Sequence, residues 1–310
     1  MIPGIDPTVD YAFKKLFGSE ANTHVLMSLL EAVLNPPPDR RIVALEIINP
    51  FNDKDTPDDK LSIVDIKARD QLGRLYNVEM QMVGGHHFPV RVLYYWAILY
   101  GQQLREGDDY ADLCETISIS FVNSILFPQV ADYHLDFQLR SSRHPQLVFS
   151  DRQSMHLLEL PKFAKTVEEL ADPLDAWCYF LVHGADLDPD NLPDALRKPA
   201  MQRAMEVLNM MSQTELERER YQTRVKVARD ERSRLRDSRE LELKAREEGI
   251  KEGIKEGAVD RIHLLQRMLR LPMTPRTELL TQSLDALRTI ADALEKQAGV
   301  PAIDPAQPQE

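Results

Sequence analysis

The stretch VDIKARDQLGRLYNVEMQM, residues 64–82, holds two carboxylates spaced so that one strand-turn-strand unit would bring them together. Alternation puts Asp65, Lys67 and Arg69 on one face of the first arm, with Val64, Ile66 and Ala68 on the other. In the second arm Asn77, Glu79 and Gln81 share the polar face, while Val78, Met80 and Met82 are apolar. The connection Gln71-Leu72-Gly73 ends in glycine, which a three-residue hairpin loop uses at its left-handed last position. That register pairs Asp70 with Arg74, Lys67 with Asn77, and Asp65 with Glu79, whose Cβ atoms would lie roughly 5 Å apart. Like charges so placed destabilise a sheet unless a cation or a shared proton lies between them.

Two readings follow. In one, the charged face of an antiparallel hairpin is simply wet and solvated. In the other, Asp65 and Glu79 are hard oxygen ligands for Mg2+, with Mn2+ as a substitute, and the Met80 backbone carbonyl is a further oxygen. Such an ion lowers the pKa of a bound water and neutralises charge developing on a phosphate. Carboxylates at this separation also suit a retaining glycosidase, but the face carries no aromatic sugar platform and the element order does not suggest a barrel. There is no Gly-rich phosphate loop and no G-x-S-x-G elbow. His86 and His87 point to opposite sides of an extended chain, so they read as a loop or helix-start pair rather than a chelate.

Helices and further strands must hold this hairpin. TVDYAFKKLFGSEANTHVLMSLLEAVL reads as an amphipathic helix ended by NPPPDR, followed by a strand at RIVALEIINP. FPVRVLYYWAILYGQQL reads as a helix with Pro89 in its first turn, apolar round most of its circumference and therefore buried, with Arg91, Tyr95 and Gln102 as a thin polar stripe that could face the carboxylates. ETISISFVNSILF, YHLDFQLR and SMHLLELP read as strands, and the chain is helical from KFAKTVEELADPLDAWCYFL onward. The expected class is α/β, on a mixed sheet.

Composition sets the bounds. The 310 residues are 43% hydrophobic and 28% charged, the values of a globular protein with one sizeable domain and an accessory region. No apolar run approaches the ~20 residues of a membrane span, and the first residues lack the layout of a signal peptide, so a cytoplasmic protein is expected. Cys114 and Cys178 are too few for a disulfide framework and read as core residues. A net charge of -12 argues against a protein that coats nucleic acid through bulk electrostatics, but not against a nuclease that engages phosphate locally with metal ions.

From Gln213 the composition shifts to ELERERYQTRVKVARDERSRLRDSRELELKAREEGIKEGIKEG, with no sustained heptad. This divides the chain into a domain at 1–212, a charged linker at 213–257 with Gly249, Gly253 and Gly257 four apart, a small helical module at 258–298 and a tail at 299–310. The region after Gln213 is expected to be dispensable for the catalytic fold and to support homo-oligomers through its helices.

In order along the chain, DPTVDYAFKKLFG, DDKLSIVDIKARDQLGRLYNVEMQ, VLYYWAILYGQQLREGDDYADLCETISISFVNSILF, LLELPKF and EEGIKEGIKEG resemble the recombination-promoting nuclease family, described as PD-(D/E)XK nuclease family transposases. The resemblance implies a restriction-endonuclease-like core, a central mixed sheet flanked by helices, with a helical C-terminal extension. It implies metal-dependent hydrolysis of DNA phosphodiester bonds in recombination, mobility or defence. It makes Asp65 and Glu79 the metal ligands, puts Gln81 where the broader superfamily has lysine, and gives Lys60 a supporting role. Lys67, on the same face as Asp65, could supply the positive charge that Gln81 lacks. The alternative is a nuclease fold kept as a DNA-binding or regulatory module with little cleavage.

Overall fold

The computed structural model describes residues 2–48, 66–82 and 87–299. Its centre is a six-stranded sheet in the order β1 (Leu45–Ile47), β2 (Ile66–Asp70), β3 (Leu75–Gln81), β4 (Thr116–Val122), β6 (Gln153–Glu159), β5 (His134–Phe137). β3, β4 and β6 run parallel, and β1, β2 and β5 pair antiparallel at the flanks, so the sheet is mixed as expected.

One face of the sheet presents Ile66, Ala68, Tyr76, Val78, Met80, Ile117, Ile119, Phe121 and Leu158 to helices α1 (Asp10–Phe17), α2 (Thr23–Leu34), α4 (Pro173–His183) and α5 (Pro199–Gln213). Aromatic rings join these layers: Phe13 lies 5.8 Å from Phe121, and Phe17 lies 5.5 Å from Trp177. The N-terminal segment read as one helix is two. The break comes at Gly18, after which the Asn22 side-chain amide donates to the Lys15 carbonyl at 3.0 Å and satisfies an orphan acceptor of α1. α2 ends at Asn35 in the left-handed region (φ 40°), which asparagine tolerates, and the prolines that follow prevent its continuation.

The β2–β3 hairpin has the register read from the sequence, with Lys67 opposite Asn77 and Ile66 opposite Val78. Gly73 takes φ +77°, and a Cβ there would meet the Cys114 sulfur at 2.8 Å, so both conformation and space demand glycine. Cys178 is a core residue as expected; Cys114 is only half-buried, under this turn. The Asp70 carboxylate closes the turn. One oxygen accepts from the Leu72 and Arg74 backbone amides at 2.9 and 3.0 Å; the other accepts from Arg74 Nε at 2.6 Å and the Tyr76 hydroxyl at 2.7 Å.

A single helix, α6 (Glu215–Met268), runs through the charged region and its three glycines. Its first turns belong to the core of the first unit: Tyr221 is buried and its hydroxyl accepts from the Asp6 amide at 2.9 Å, and Glu217 accepts from Tyr11 and Lys15 at 2.9 and 3.1 Å. The chain accordingly divides into units at Met1–Arg232 and Ser233–Glu310, twenty residues beyond the change in composition. In the second unit Val259, Ile262 and Leu265 of α6 close a small core with Leu279 of α7 (Arg276–Thr281) and Leu287 and Ala291 of α8 (Leu284–Ala298).

Asp70→Asn should destabilise the first unit by about 3 kcal/mol in chemical denaturation, because the Arg74 side chain, 6% exposed, would be left without its counter-charge. A loss well under 1 kcal/mol would show that the turn closes without this ion pair.

Candidate active site

β3 is an interior strand, with both of its edges paired. β4 pairs along its far side, in register Asn77↔Ser118, Glu79↔Ser120 and Gln81↔Val122. α3 (Phe88–Gly101) lies over this face. Its Phe88 and Val92 join Val122 and Leu157 in a second apolar cluster, and its Trp96 indole donates to the Thr116 carbonyl at 2.8 Å. Gln103, just past the helix, donates to Thr116 Oγ1 at 2.9 Å and accepts from the Cys114 amide at 2.9 Å, locking its C-terminal end to the start of β4. The solvated reading is thereby overturned for Asn77 and Glu79 on β3, which parallel pairing on one side and a helix above keep dry, while on β2 Arg69 is exposed and Lys67 half-buried.

The result is a square of buried polar side chains, Asn77, Glu79, Ser118 and Ser120, each between 1% and 4% exposed. The Ser120 hydroxyl donates to Glu79 Oε1 at 3.3 Å. Asn77 Oδ1 and Ser118 Oγ, side by side in the register, are buried and have no hydrogen-bond partner among the described residues. A carboxylate held this far from water is costly unless hydrogen bonds or a cation compensate it. The donors gathered here are all hard oxygens, a set that suits a divalent cation such as Mg2+ or Mn2+ rather than a soft metal. Among the described residues no group of three or more His, Cys, Asp or Glu side chains is arranged to hold a metal. The expected partner of Glu79, Asp65, lies outside the described residues, as do Lys60 and His86.

Of the other expected site residues, Lys67 is half-buried and level with Asn77, four residues down the strand from Gln81. Four residues of strand span ~13 Å, so Lys67 is a neighbour of Glu79 on the diagonal and not of Gln81. The Met80 side chain points into the main core, which leaves only its backbone carbonyl for the polar side. The Arg91 guanidinium reaches the Gln81 side-chain oxygen from α3. Tyr95 instead makes its ring contact with Tyr94 at 5.7 Å, and Gln102 is exposed at the far end of the helix, so the expected polar stripe reduces to Arg91. Nor is α3 buried all round, since Val90, Leu93 and Tyr94 are 68%, 53% and 61% exposed; only one side meets the sheet.

Two features escaped the sequence reading. Ser118 and Ser120 are visible in TISIS as the polar half of an alternation, but which strand lies beside Glu79 is a matter of topology. Glu159 ends β6 fully buried, accepting from the Leu126 and Phe127 amides and pairing with Lys162, and so fixes the loop that follows β4.

A mixed sheet with helices on both faces and an E-x-Q carboxylate strand at its centre defines a restriction-endonuclease-like fold of the PD-(D/E)XK type. A family model described as PD-(D/E)XK nuclease family transposase matches residues 7–238, and the chain belongs to that family. No curated protein and no solved structure matches it. PD-(D/E)XK nucleases generally use divalent metals. Among the described residues no helix is long and apolar enough to cross a membrane.

On the opposite face, outside the site, His134 Nε2 lies 3.0 Å from His156 Nδ1, and His156 Nε2 lies 2.9 Å from Ser154 Oγ, beside a cavity of about 240 Å³. Burial, reinforced by the neighbouring His134, pushes His156 down from 6.5 to about 4. Above its ordinary value both folded and unfolded chains carry the neutral ring. As pH falls from 6.5 towards 4, the unfolded chain binds a proton that the folded chain refuses, so stability declines across that window. The expected loss is up to roughly 3 kcal/mol, measured by urea unfolding at a series of pH values. His156→Leu should flatten the slope; an unchanged slope would assign the effect to other groups.

Proposed function

We propose that this chain is a divalent-metal-dependent DNA endonuclease that hydrolyses phosphodiester bonds in recombination, DNA mobility or defence, with DNA as its partner and the cytoplasm as its compartment. The observation that supports this most directly is the carboxylate of Glu79, buried beside Ser120 on an interior strand of a PD-(D/E)XK sheet, with Gln81 two residues beyond it. Glu79, Asp65 and the Met80 backbone carbonyl would hold Mg2+ or Mn2+, which when bound activates water and offsets charge developing on the phosphate. Lys67, diagonal to Glu79, moderates the negative charge of the carboxylates. Gln81 orients the attacking water or a phosphate oxygen by hydrogen bonding. Lys60, Arg91 and Tyr95 are assigned supporting roles only.

Supercoiled plasmid incubated with the protein should be nicked or linearised with Mg2+ or Mn2+ and untouched with chelator. Asp65→Asn and Glu79→Gln should each abolish cleavage while the melting temperature stays at or slightly above that of the wild type, because each removes a charge from a repelling pair. The same ions should raise the melting temperature of the wild type more than that of Glu79→Gln. Full cleavage by both variants would sink the site assignment.

The C-terminal helices are the proposed means of assembly, since cutting both strands requires two active sites or a reorientation. Because Glu217 and Tyr221 anchor the first unit, removing residues 233–310 should leave a folded domain of lower subunit number by light scattering, whereas removal from 213 onward should also lower its melting temperature. An equal subunit number for the full chain and residues 1–232 would put assembly in the core.

A further inference from the structure

The connection between β5 and β6, residues 138–152, belongs neither to the core nor to the site around Glu79, yet it is well ordered. Arg140 and Val148 form a bridge, the Phe149 amide donates to the Leu139 carbonyl at 2.9 Å, and the Ser141 amide donates to the Leu147 carbonyl at 3.1 Å. The Arg140 guanidinium braces this hairpin from within, donating to Gln138 Oε1 at 2.6 and 3.1 Å and to the Pro145 carbonyl at 3.0 Å. So framed, the hairpin holds its apolar side chains out. Leu139, Leu147, Val148 and Phe149 are all exposed, Phe149 at 82%, and they border an open cleft of about 650 Å³ instead of filling a core. Contiguous exposed apolar side chains mark a surface that meets something else.

Charge narrows what that is. In a chain of net charge -12, residues 138–152 hold three arginines against one aspartate. Among the described residues, Arg140 meets only neutral oxygens and Arg143 has no carboxylate partner. Arg152 lies 3.7 Å from Asp151, but both are exposed and water screens the pair. The positive charge of the hairpin is thus left for an outside anion. Its position fits the same site. β6 and β5 lie two and three strands from β3, a lateral offset of about 14 Å at most, which duplex DNA covers in about four base pairs. Phe137, from which the hairpin springs, is on the α3 side of the sheet, as Glu79 is: its ring lies 5.8 Å from Phe127, which packs against Phe88 and Val92 of α3.

We propose that the hairpin at 138–152 is a DNA contact separate from the metal site, in which Arg143 and Arg152 meet backbone phosphates and Phe149 lays its ring against a base at an opened or single-stranded step. The inference rests on the nuclease reading above for its choice of DNA as the anion. A guanidinium matches a phosphate with paired N–H donors, and an aromatic ring stacks on any base, so neither contact demands a particular sequence. Apolar wedges beside arginines are also how proteins hold a kinked duplex. Exposed apolar side chains alone would suit a protein partner, and arginines alone any polyanion; together they select a polymer that offers both phosphates and flat apolar faces.

The test is binding of the full chain to a fluorescein-labelled duplex and to the matching single strand, followed by anisotropy in Ca2+ over a series of salt concentrations. Phe149→Ala should weaken binding by roughly 5- to 100-fold, whereas Phe149→Tyr, which keeps the ring, should bind like the wild type. Arg143→Ala should reduce the slope of log affinity against log salt by about 1. All three variants should melt with the wild type, since the side chains changed are exposed. Phe149→Ala and Arg143→Ala that bind DNA as the wild type does, with the salt slope unchanged, overturn the inference and leave the nuclease reading standing. Phe149→Tyr as weak as Phe149→Ala overturns the base contact. Binding to phosphatidylserine vesicles that is lost in Phe149→Ala, beside unchanged DNA binding, makes the hairpin a membrane contact and likewise overturns the proposal. A wild type that binds DNA through the hairpin but cleaves none with any metal keeps this contact and removes the endonuclease activity; a wild type that binds no DNA removes both.

Discussion

The arrangement of this protein depends on one buried ion pair at the tip of a hairpin. Asp70 and Arg74 have side chains 0% and 6% exposed, and the carboxylate uses both of its oxygens on four donors drawn from the turn and the strand that follows. Such a group tolerates no sliding: a slip of one residue would pull the carboxylate off its amides and turn every side chain of β3 to the other face. The same interaction therefore decides that Tyr76, Val78 and Met80 enter the main core and that Asn77, Glu79 and Gln81 turn towards α3. Desolvation pushes the Tyr76 hydroxyl well above its ordinary range, and the Asp70 carboxylate it donates to pushes it further. It stays protonated and remains a donor to Asp70.

With register fixed, burial does the rest. Parallel pairing with β4 supplies a wall of serine hydroxyls, and α3 closes the top, so Glu79 lies where charge is expensive and interactions with a cation are correspondingly strong. Gln81, at the strand's end, is half-buried and meets Arg91. The gradient from dry to wet therefore runs along a single strand, over two residues.

Much of this was legible in the residues. Alternation and the Gly73 turn yielded the hairpin register, and β-favouring runs located β4, β5 and β6, because those signals are local. What alternation could not reveal was which strand would lie beside β3, and hence that Asn77 and Glu79 would be dry; that outcome belongs to long-range pairing. The helix at Phe88–Gly101 misled in the other direction. Its many apolar residues suggested burial on all sides, yet Val90, Leu93 and Tyr94 face outward, since apolar content alone does not say how many neighbours a helix has. At the N-terminus one apolar pattern concealed two helices, because periodicity can continue in phase across a short break such as Gly18–Asn22. Asp65 and Lys60 fall outside the described residues, so their place in the site rests on the sequence reading.

The clasp between Asp6, Tyr11 and Lys15 and the start of α6 joins residues more than 200 positions apart in the chain. On a ribosome, which adds about 5–20 residues per second, the partners of the first helix emerge on the order of 10–40 s after it. Until β6 is complete at Glu159, α1 exposes an aromatic and aliphatic face, Phe13, Leu16 and Phe17, whose sheet is still being synthesised. Folding of the first unit is thus paced by translation, and a pause or a premature stop shortly before residue 217 would release a chain complete in its strands but lacking the contacts that fasten its beginning.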